Sequence, residues 1–290
     1  MLVAIGLLGA FTDARGAFEV SWPGARSAAS AGADVELAAI VPGRAAAAPQ
    51  GAPEESTGAR FGGASDSLST GREAGRFEID LSGGELYGLS EIRACRARVR
   101  SAWGATAAAV TVGQLGGTLY RERTAGVAFA RSLGSRIAVE IGGRALSVGA
   151  PGARSRSAVA IDAGFSSLFL GRILLVVRSV NVTDARIGRS PISSGTSLGA
   201  GLALERVRLS ASLEIDRGLG TAVAVGVEAS AGELLRIRAG VGLDPPIFGC
   251  GLGIGAERRE ALVPWPVVDL AWQWHPDLGV STFVSVSLRR

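Results

Sequence analysis

The sequence predicts an all-β fold, an antiparallel transmembrane β-barrel of about 14 strands with a short N-terminal helical or irregular segment plugging its lumen. Three observations predict it. Segments of roughly ten residues alternate strictly between apolar and polar side chains, which is the period of a strand with two unlike faces. The chain is 47% hydrophobic with a mean hydropathy of +0.31. Yet no apolar run approaches the roughly 18 residues of a membrane helix, and Ile173–Val177 is typical of the longest. Finally, Gly supplies 42 of 290 residues and charged residues only 19%, without a collagen-like period. That composition suits neither an ordinary soluble enzyme nor a helical membrane protein.

Several chemistries are excluded at once. All 30 basic residues are Arg, so a phosphate loop that needs its Lys and any Schiff-base step are both ruled out. The net charge of +4 is small, and acids intersperse with the arginines, so no nucleic-acid partner is expected. Cys95 and Cys250 lie far apart with His275 as the one histidine. No zinc spacing exists, and two separate thiols are expected rather than a disulfide. No catalytic residue, cofactor or metal ligand is therefore expected.

At the N-terminus, Leu2 to Phe11 has the length of a signal-peptide core, and Ala14 and Gly16 stand at −3 and −1 of a cleavage site before Ala17. Residues 1–16 are thus read as a signal peptide, although no Arg precedes the apolar core; a buried first strand or helix is the competing reading. Residues 17–75 are read as the plug-like segment. Within them Ala25–Leu37 suits a short Ala-rich helix that needs a wall to pack against. Ala39 to Ala74 is rich in Ala, Gly, Pro and Ser and cannot build a core.

Residues 76–290 form the barrel. Its clearest strand is Val207–Asp216, where Val207, Leu209, Ala211, Leu213 and Ile215 alternate with Arg208, Ser210, Ser212, Glu214 and Asp216. Leu198–Glu205 alternates likewise and pairs with it through a tight reversal near Glu205-Arg206. The same pattern recurs at 137–144, 159–166, 223–228, 235–241, 248–254 and 280–289. Weaker candidates near 77–82, 92–102, 104–114, 121–131, 170–180 and 265–274 bring the total to about 14 strands of about nine to eleven residues, the span of a tilted strand crossing a bilayer. Turns are short at Leu133-Gly134-Ser135 and longer at Asp184–Ser194 and Ala256–Pro264, as expected of short turns on one side and long loops on the other.

Polarity orients the faces. The non-apolar face mixes Gly and Ser with Arg, Glu and Asp, which are costly to bury but easily held in a watered lumen, so the apolar stripes face lipid. The candidate lumen-lining residues are Arg96, Arg98, Arg100, Glu140, Arg144, Arg178, Arg208, Glu214, Glu228, Arg236 and Arg238. Two readings apply to the arginines: a route favouring an anionic head group, since Arg grips carboxylate and phosphate bidentately, or a charge ladder balanced by Glu140, Glu205, Glu214 and Glu228. Trp265, Trp272 and Trp274 suit an interfacial girdle, with buried packing as the alternative. Gly195-Thr196-Ser197-Leu198-Gly199 fits the nucleophile-elbow spacing but opens a strand and has no His base nearby. Gly249, Gly251, Gly253 and Gly255 lie on one strand face and leave room for something packed inside, for which the N-terminal segment is the candidate.

One stretch also carries a family resemblance. Val268–Val280 (VDLAWQWHPDLGV) resembles the penultimate hairpin of PorV/PorQ-like outer-membrane proteins, relatives of the FadL fatty-acid channel barrels: an aromatic strand, HP-x-LG, then a Ser-rich last strand. Tyr120-Arg121-Glu122, Val177–Val182, Gly226-Val227-Glu228 and Pro23–Val35 are similar to further family segments. The family's Asn-Pro-Ala-Gly-Leu element and terminal aromatic are absent. The resemblance implies an outer-membrane barrel assembled by barrel-assembly machinery, in contact with outer-membrane lipid. It implies either passage or holding of small hydrophobic or amphipathic molecules, or a secretion-accessory barrel that docks or shuttles exported proteins. A structural outer-membrane protein and a soluble all-β protein are the remaining alternatives. A non-enzymatic channel or binding barrel is the expected function.

Overall fold

The computed structural model describes residues 76–217, 220–232, 234–243, 246–255 and 266–289. The expected signal peptide, helix, Ala/Pro-rich loop and plug (residues 1–75) lie outside the described residues, as do Trp265 and Ala256–Pro264. The strands are β1 (Arg76–Leu86), β2 (Leu89–Trp103), β3 (Thr106–Gly116), β4 (Arg121–Ser132), β5 (Ile137–Gly149), β6 (Arg156–Phe169), β7 (Ile173–Val180), β8 (Arg186–Ile187) and β9 (Ser190–Pro191). They continue with β10 (Gly195–Ala203), β11 (Val207–Asp216), β12 (Gly220–Ala231), β13 (Leu235–Leu243), β14 (Ile247–Ile254), β15 (Pro266–His275) and β16 (Gly279–Arg289). Fourteen of them close into one antiparallel barrel, each pairing with its neighbours in sequence, and β1 pairs with β16 to seal the wall. Closure leaves the wall itself without an unpaired strand edge. The remaining two, β8 and β9, make a small hairpin of their own between β7 and β10.

Register carries the alternation around the wall. In β10 and β11, Leu198 faces Leu213 and Leu202 faces Leu209, while Ser197 faces Glu214 and Gly201 faces Ser210. Leu204 N–H donates to the Val207 carbonyl at 2.8 Å and closes that hairpin. Large apolar side chains lie exposed on the outer face, among them Val110, Val127, Ile141 and Val159. A continuous exposed belt of this kind requires an apolar solvent.

Strand lengths depart from the expected nine to eleven residues. They run from 8 in β7 and β14 to 15 in β2, with 13 in β5 and 14 in β6. The long strands continue pairing beyond the apolar belt, where their outward residues become polar (Arg93, Arg121, Arg123, Ser147), so their ends lose the alternation that marks a strand in sequence. The loops are also distributed differently. The long connection of residues 181–194 leaves from one rim, here the loop end. The connection from β14 to β15 leaves from the opposite rim, the terminus end, where β1 begins and β16 finishes. The two long connections therefore lie on opposite sides, because an odd number of strands separates them.

Aromatic side chains collect toward both rims of the outer face. Trp103, Phe129 and Phe169 lie toward the terminus end, and Trp272 and Trp274 toward the loop end, with both tryptophans exposed to 40% and 44%. The Trp274 ring stacks at a tilt on Phe248, centroids 5.4 Å apart. Amphipathic rings at two levels of an apolar belt match the two interfaces of a bilayer. Cys95 and Cys250 are free thiols on this outer face, with β1, β16 and β15 between their strands.

Candidate functional site

The inner face is the candidate site, because alternation sends every second residue of each strand into the lumen. Register puts Arg96, Arg98 and Arg100 of β2 on the same face as Ser82, Asp80 and Glu78 of β1. Glu140 and Arg144 of β5 share that face with Gly164 and Ala160 of β6. Arg178 aligns with Gly164 and Ser197, and Arg208 with Glu228. Glu228 aligns in turn with Arg238, Arg236 with Gly253, and Glu214 with Ser197. All eleven sequence-derived candidates therefore point to the same side of the wall, opposite the apolar belt.

Three polar networks gather six of them: Arg96, Arg144, Arg178, Arg208, Glu228 and Arg238. In the first, the Arg144 Nε lies 2.7 Å from Asp162 Oδ2, and its Nη2 donates to Oδ1 at 3.0 Å. Arg178 Nη2 reaches the same carboxylate at 3.5 Å, and the backbone N–H of Asn181 donates to it at 2.9 Å. In the second, Arg208 and Arg238 grip opposite oxygens of Glu228, at 3.1 and 2.5 Å. Arg238 then extends across β14 to Asp269 on β15, 2.5 Å away. In the third, Asp80 lies 3.8 Å from Arg96 and accepts from the Ser287 hydroxyl at 2.9 Å. Beside each strand bearing a candidate arginine runs a strand with an inward carboxylate. Of the carboxylates in the three networks, Asp80, Asp162 and Asp269 were not among the sequence candidates. Glu205 sits in the turn between β10 and β11 rather than on the wall.

The glycine row on β14 has a local reason. Gly249, Gly251 and Gly253 face inward, and the Arg238–Asp269 pair passes over Gly253, where a Cβ would collide with Asp269 Oδ1 and sit 3.1 Å from both terminal nitrogens of Arg238. What fills this space, among the described residues, is an ion pair from the flanking strands. Gly253→Ala is expected to cost about 1–2 kcal/mol by overpacking, read as a lower urea midpoint of the detergent-folded barrel; an unchanged midpoint would show that the pair shifts freely. Gly84 plays a similar part: it pairs with Phe283 of β16, whose ring lies over it while the residue is 4% exposed.

The segment between β7 and β10 folds inward. Asn181, at φ 51 and 1% exposed, turns the chain. Its side-chain amide donates to the Ala185 and Ile192 carbonyls at 3.4 and 3.0 Å, and its Oδ1 accepts from the Ala185 N–H at 2.8 Å. These bonds supply partners that an irregular buried backbone would otherwise lack. Ile187 and Ile192 pack on Leu146 and Ala160, inner-face residues of β5 and β6. The Ser193 hydroxyl donates to Asp216 on β11. The hairpin is thus clamped on both sides, against β5–β6 and against β11, inside the mouth at the loop end. An αL Asn and a two-residue strand pair leave no periodic signal, which is why the sequence reads this stretch only as a long loop.

The other motifs resolve structurally. Gly195–Gly199 lies within β10, with Ser197 between Arg178 and Glu214 in register and no strand–turn–helix geometry. His275 Nδ1 accepts the N–H groups of Asp277 and Leu278 at 3.2 and 3.3 Å, so the histidine of HP-x-LG caps the turn joining β15 to β16. At the turn after β3, Tyr120 donates to Glu122 at 2.5 Å, and burial together with this carboxylate pushes the phenol well above its ordinary range.

No family model matches the chain, and no curated protein does. Among solved structures, the KdgM porin aligns over 73% of this chain and 97% of its own, at 10% identity and TM-score 0.41. The CymD monoaromatic hydrocarbon channel aligns over 75% and 88%, at 11% identity and TM-score 0.45. A Pseudomonas aeruginosa FadL homologue aligns over 74% and 89%, at 10% identity and TM-score 0.46. What these chains have in common with the present one is a β-barrel architecture.

Proposed function

We propose that this chain is a non-enzymatic outer-membrane barrel that passes or holds small amphipathic molecules. The observation that carries the reading is the mixed inner face. On β5–β6 an apolar cluster of Leu146, Ala160, Ile187 and Ile192, with the partly exposed Val148, Ala158 and Ala185 at its edge, adjoins the Arg144–Asp162–Arg178 cluster. A molecule with an apolar body and a polar head meets complementary groups on both parts. The apolar outer belt supports a bilayer location, and the HP-x-LG hairpin supports kinship with PorV/PorQ-like, FadL-related barrels. Outer-membrane lipid and barrel-assembly machinery are then its partners.

The test is single-channel recording of the full chain in a planar bilayer, with a medium-chain carboxylate added. The reading expects discrete current that the amphiphile blocks, and a larger current after deletion of residues 17–75. Current that the carboxylate leaves untouched would refute the amphiphile reading. A folded, non-conducting barrel that binds no such ligand would favour the secretion-accessory alternative. Unchanged conductance after the deletion would remove the plug.

A further inference from the structure

The turns at the terminus end carry a repeat that the lumen does not use. Three consecutive hairpins around the barrel close with Leu133-Gly134-Ser135-Arg136, Leu170-Gly171-Arg172 and Leu204-Glu205-Arg206. Each opens on an exposed Leu and ends on an exposed Arg. The leucines are exposed to 55%, 86% and 44%.

The arginines occupy equivalent positions. The Arg136 carbonyl accepts from Leu168 N–H at 2.8 Å, that of Arg172 from Ala203 at 3.0 Å, and that of Arg206 from Ser230 at 2.8 Å. Each backbone is therefore pinned to the next hairpin, two strands further on. Two strand spacings set the arginines roughly 10 Å apart along the rim. At the same position, the turn after β2 has Ala105 and the turn after β12 has Leu234. Among the described turns of this rim, arginines at this position are thus confined to the arc from β4 to β11. Among the described residues, none of the three guanidinium groups has an acidic partner. Glu205 is the single acid in these turns.

The leucines point to the occupant. Leu170 stands at φ 50, a left-handed conformation that favours Gly or Asn in such a turn. A bulky apolar side chain is kept there with 86% of its surface exposed. On the outer face of the same hairpin, Phe165 and Phe169 carry the apolar belt up to the turn. The belt therefore runs into the turns themselves, leaving the arginines at its edge, where a bilayer places its phosphates. Guanidinium groups pair bidentately with phosphate, and apolar side chains beside them enter the acyl boundary.

We propose that Arg136, Arg172 and Arg206 form a docking arc for anionic phospholipid headgroups in the leaflet at the terminus end. The inference rests on the membrane-barrel reading. It is tested by native mass spectrometry of the full chain folded in neutral detergent, presented with equimolar phosphatidylglycerol and phosphatidylcholine. Phosphatidylglycerol adducts should dominate, and each of R136Q, R172Q and R206Q should reduce the preference, by about fivefold for a basic residue at an anionic surface. R154Q/R217Q, at the loop end, should leave the preference intact. L133S/L170S/L204S should weaken retention of the lipid but not of inorganic phosphate.

Equal retention of the two lipids, or complete displacement of phosphatidylglycerol by inorganic phosphate at matched concentration, would overturn the arc as a lipid site. So would an R154Q/R217Q loss equal to that of the turn arginines. Insertion into phosphatidylcholine vesicles, followed by heat-modifiable migration, separates the two failures. An inserted barrel without headgroup preference refutes the arc alone, whereas a chain that stays soluble refutes the membrane reading with it.

Discussion

Replacing Asp269 with Ala is expected to lower the unfolding free energy of the barrel by about 3–5 kcal/mol, the cost of breaking a buried ion pair by removing one partner. Asp269 and Arg238 are each only 2% exposed, on strands separated by β14. Arg238 crosses the glycines of β14 to reach the carboxylate, with Glu228 on its other side. In D269A the guanidinium keeps Glu228 but loses its partner toward β15, so the lower part of that range is expected. D269N keeps an acceptor oxygen and should cost less. The double variant R238L/D269A should recover stability relative to D269A, because an apolar replacement of a buried pair removes the stranded charge. Urea unfolding of the detergent-folded protein, followed by its heat-modifiable band, measures all three. A D269A midpoint equal to that of the parent would mean that water replaces the carboxylate, and the pair would then contribute nothing to the wall.

Asp162→Ala should have the second-largest effect, about 3 kcal/mol, together with a change in current. This single carboxylate, 4% exposed, holds Arg144, Arg178 and the Asn181 N–H. It therefore joins three inner-wall strands to the base of the β8–β9 hairpin. Its removal leaves two partly exposed guanidinium groups repelling each other and frees one backbone donor, which combines an ionic and a hydrogen-bond loss. With this anchor lost, the segment keeps its apolar contacts with Leu146 and Ala160, the Val182 N–H bond to the Ile161 carbonyl and the Ser193 bond to Asp216, but its charged tie to β5 and β7 is gone. Single-channel recordings should then show a larger and noisier current than the parent. D162N, which preserves an acceptor for Asn181, should fall between. Parent-like current in D162A would show that the hairpin does not narrow the lumen, whatever its effect on stability.

Much of this architecture was legible in the sequence, for an identifiable reason. A strand that separates lipid from a polar lumen must alternate, and Val207–Asp216 does so without a break. The 14 inferred segments coincide with the 14 wall strands. The extra length of β2 and β6 was not legible, because at the loop end their outward residues turn polar (Arg93, Ser157) and the apolar–polar period breaks down. Nor was the side on which each long loop leaves, since that depends on counting strands. At the candidate site, alternation identified the inward arginines, but not which carboxylate each one meets. Arg238 pairs with Asp269 across an intervening strand, 31 residues away in sequence, and no local pattern encodes such a contact.

The chain is a glycine-rich, apolar and weakly charged sequence. By itself that sequence determined the strand period, the faces and the approximate strand number, because each follows from which side chains tolerate lipid. Only the tertiary structure decided what the inner glycines accommodate, how the charges neutralise one another, and that Asn181 turns a hairpin into the mouth. Those outcomes depend on register and closure, which bring residues of separate strands within hydrogen-bond reach. A two-residue alternation records the side to which a residue points, and the closed wall determines what it meets there.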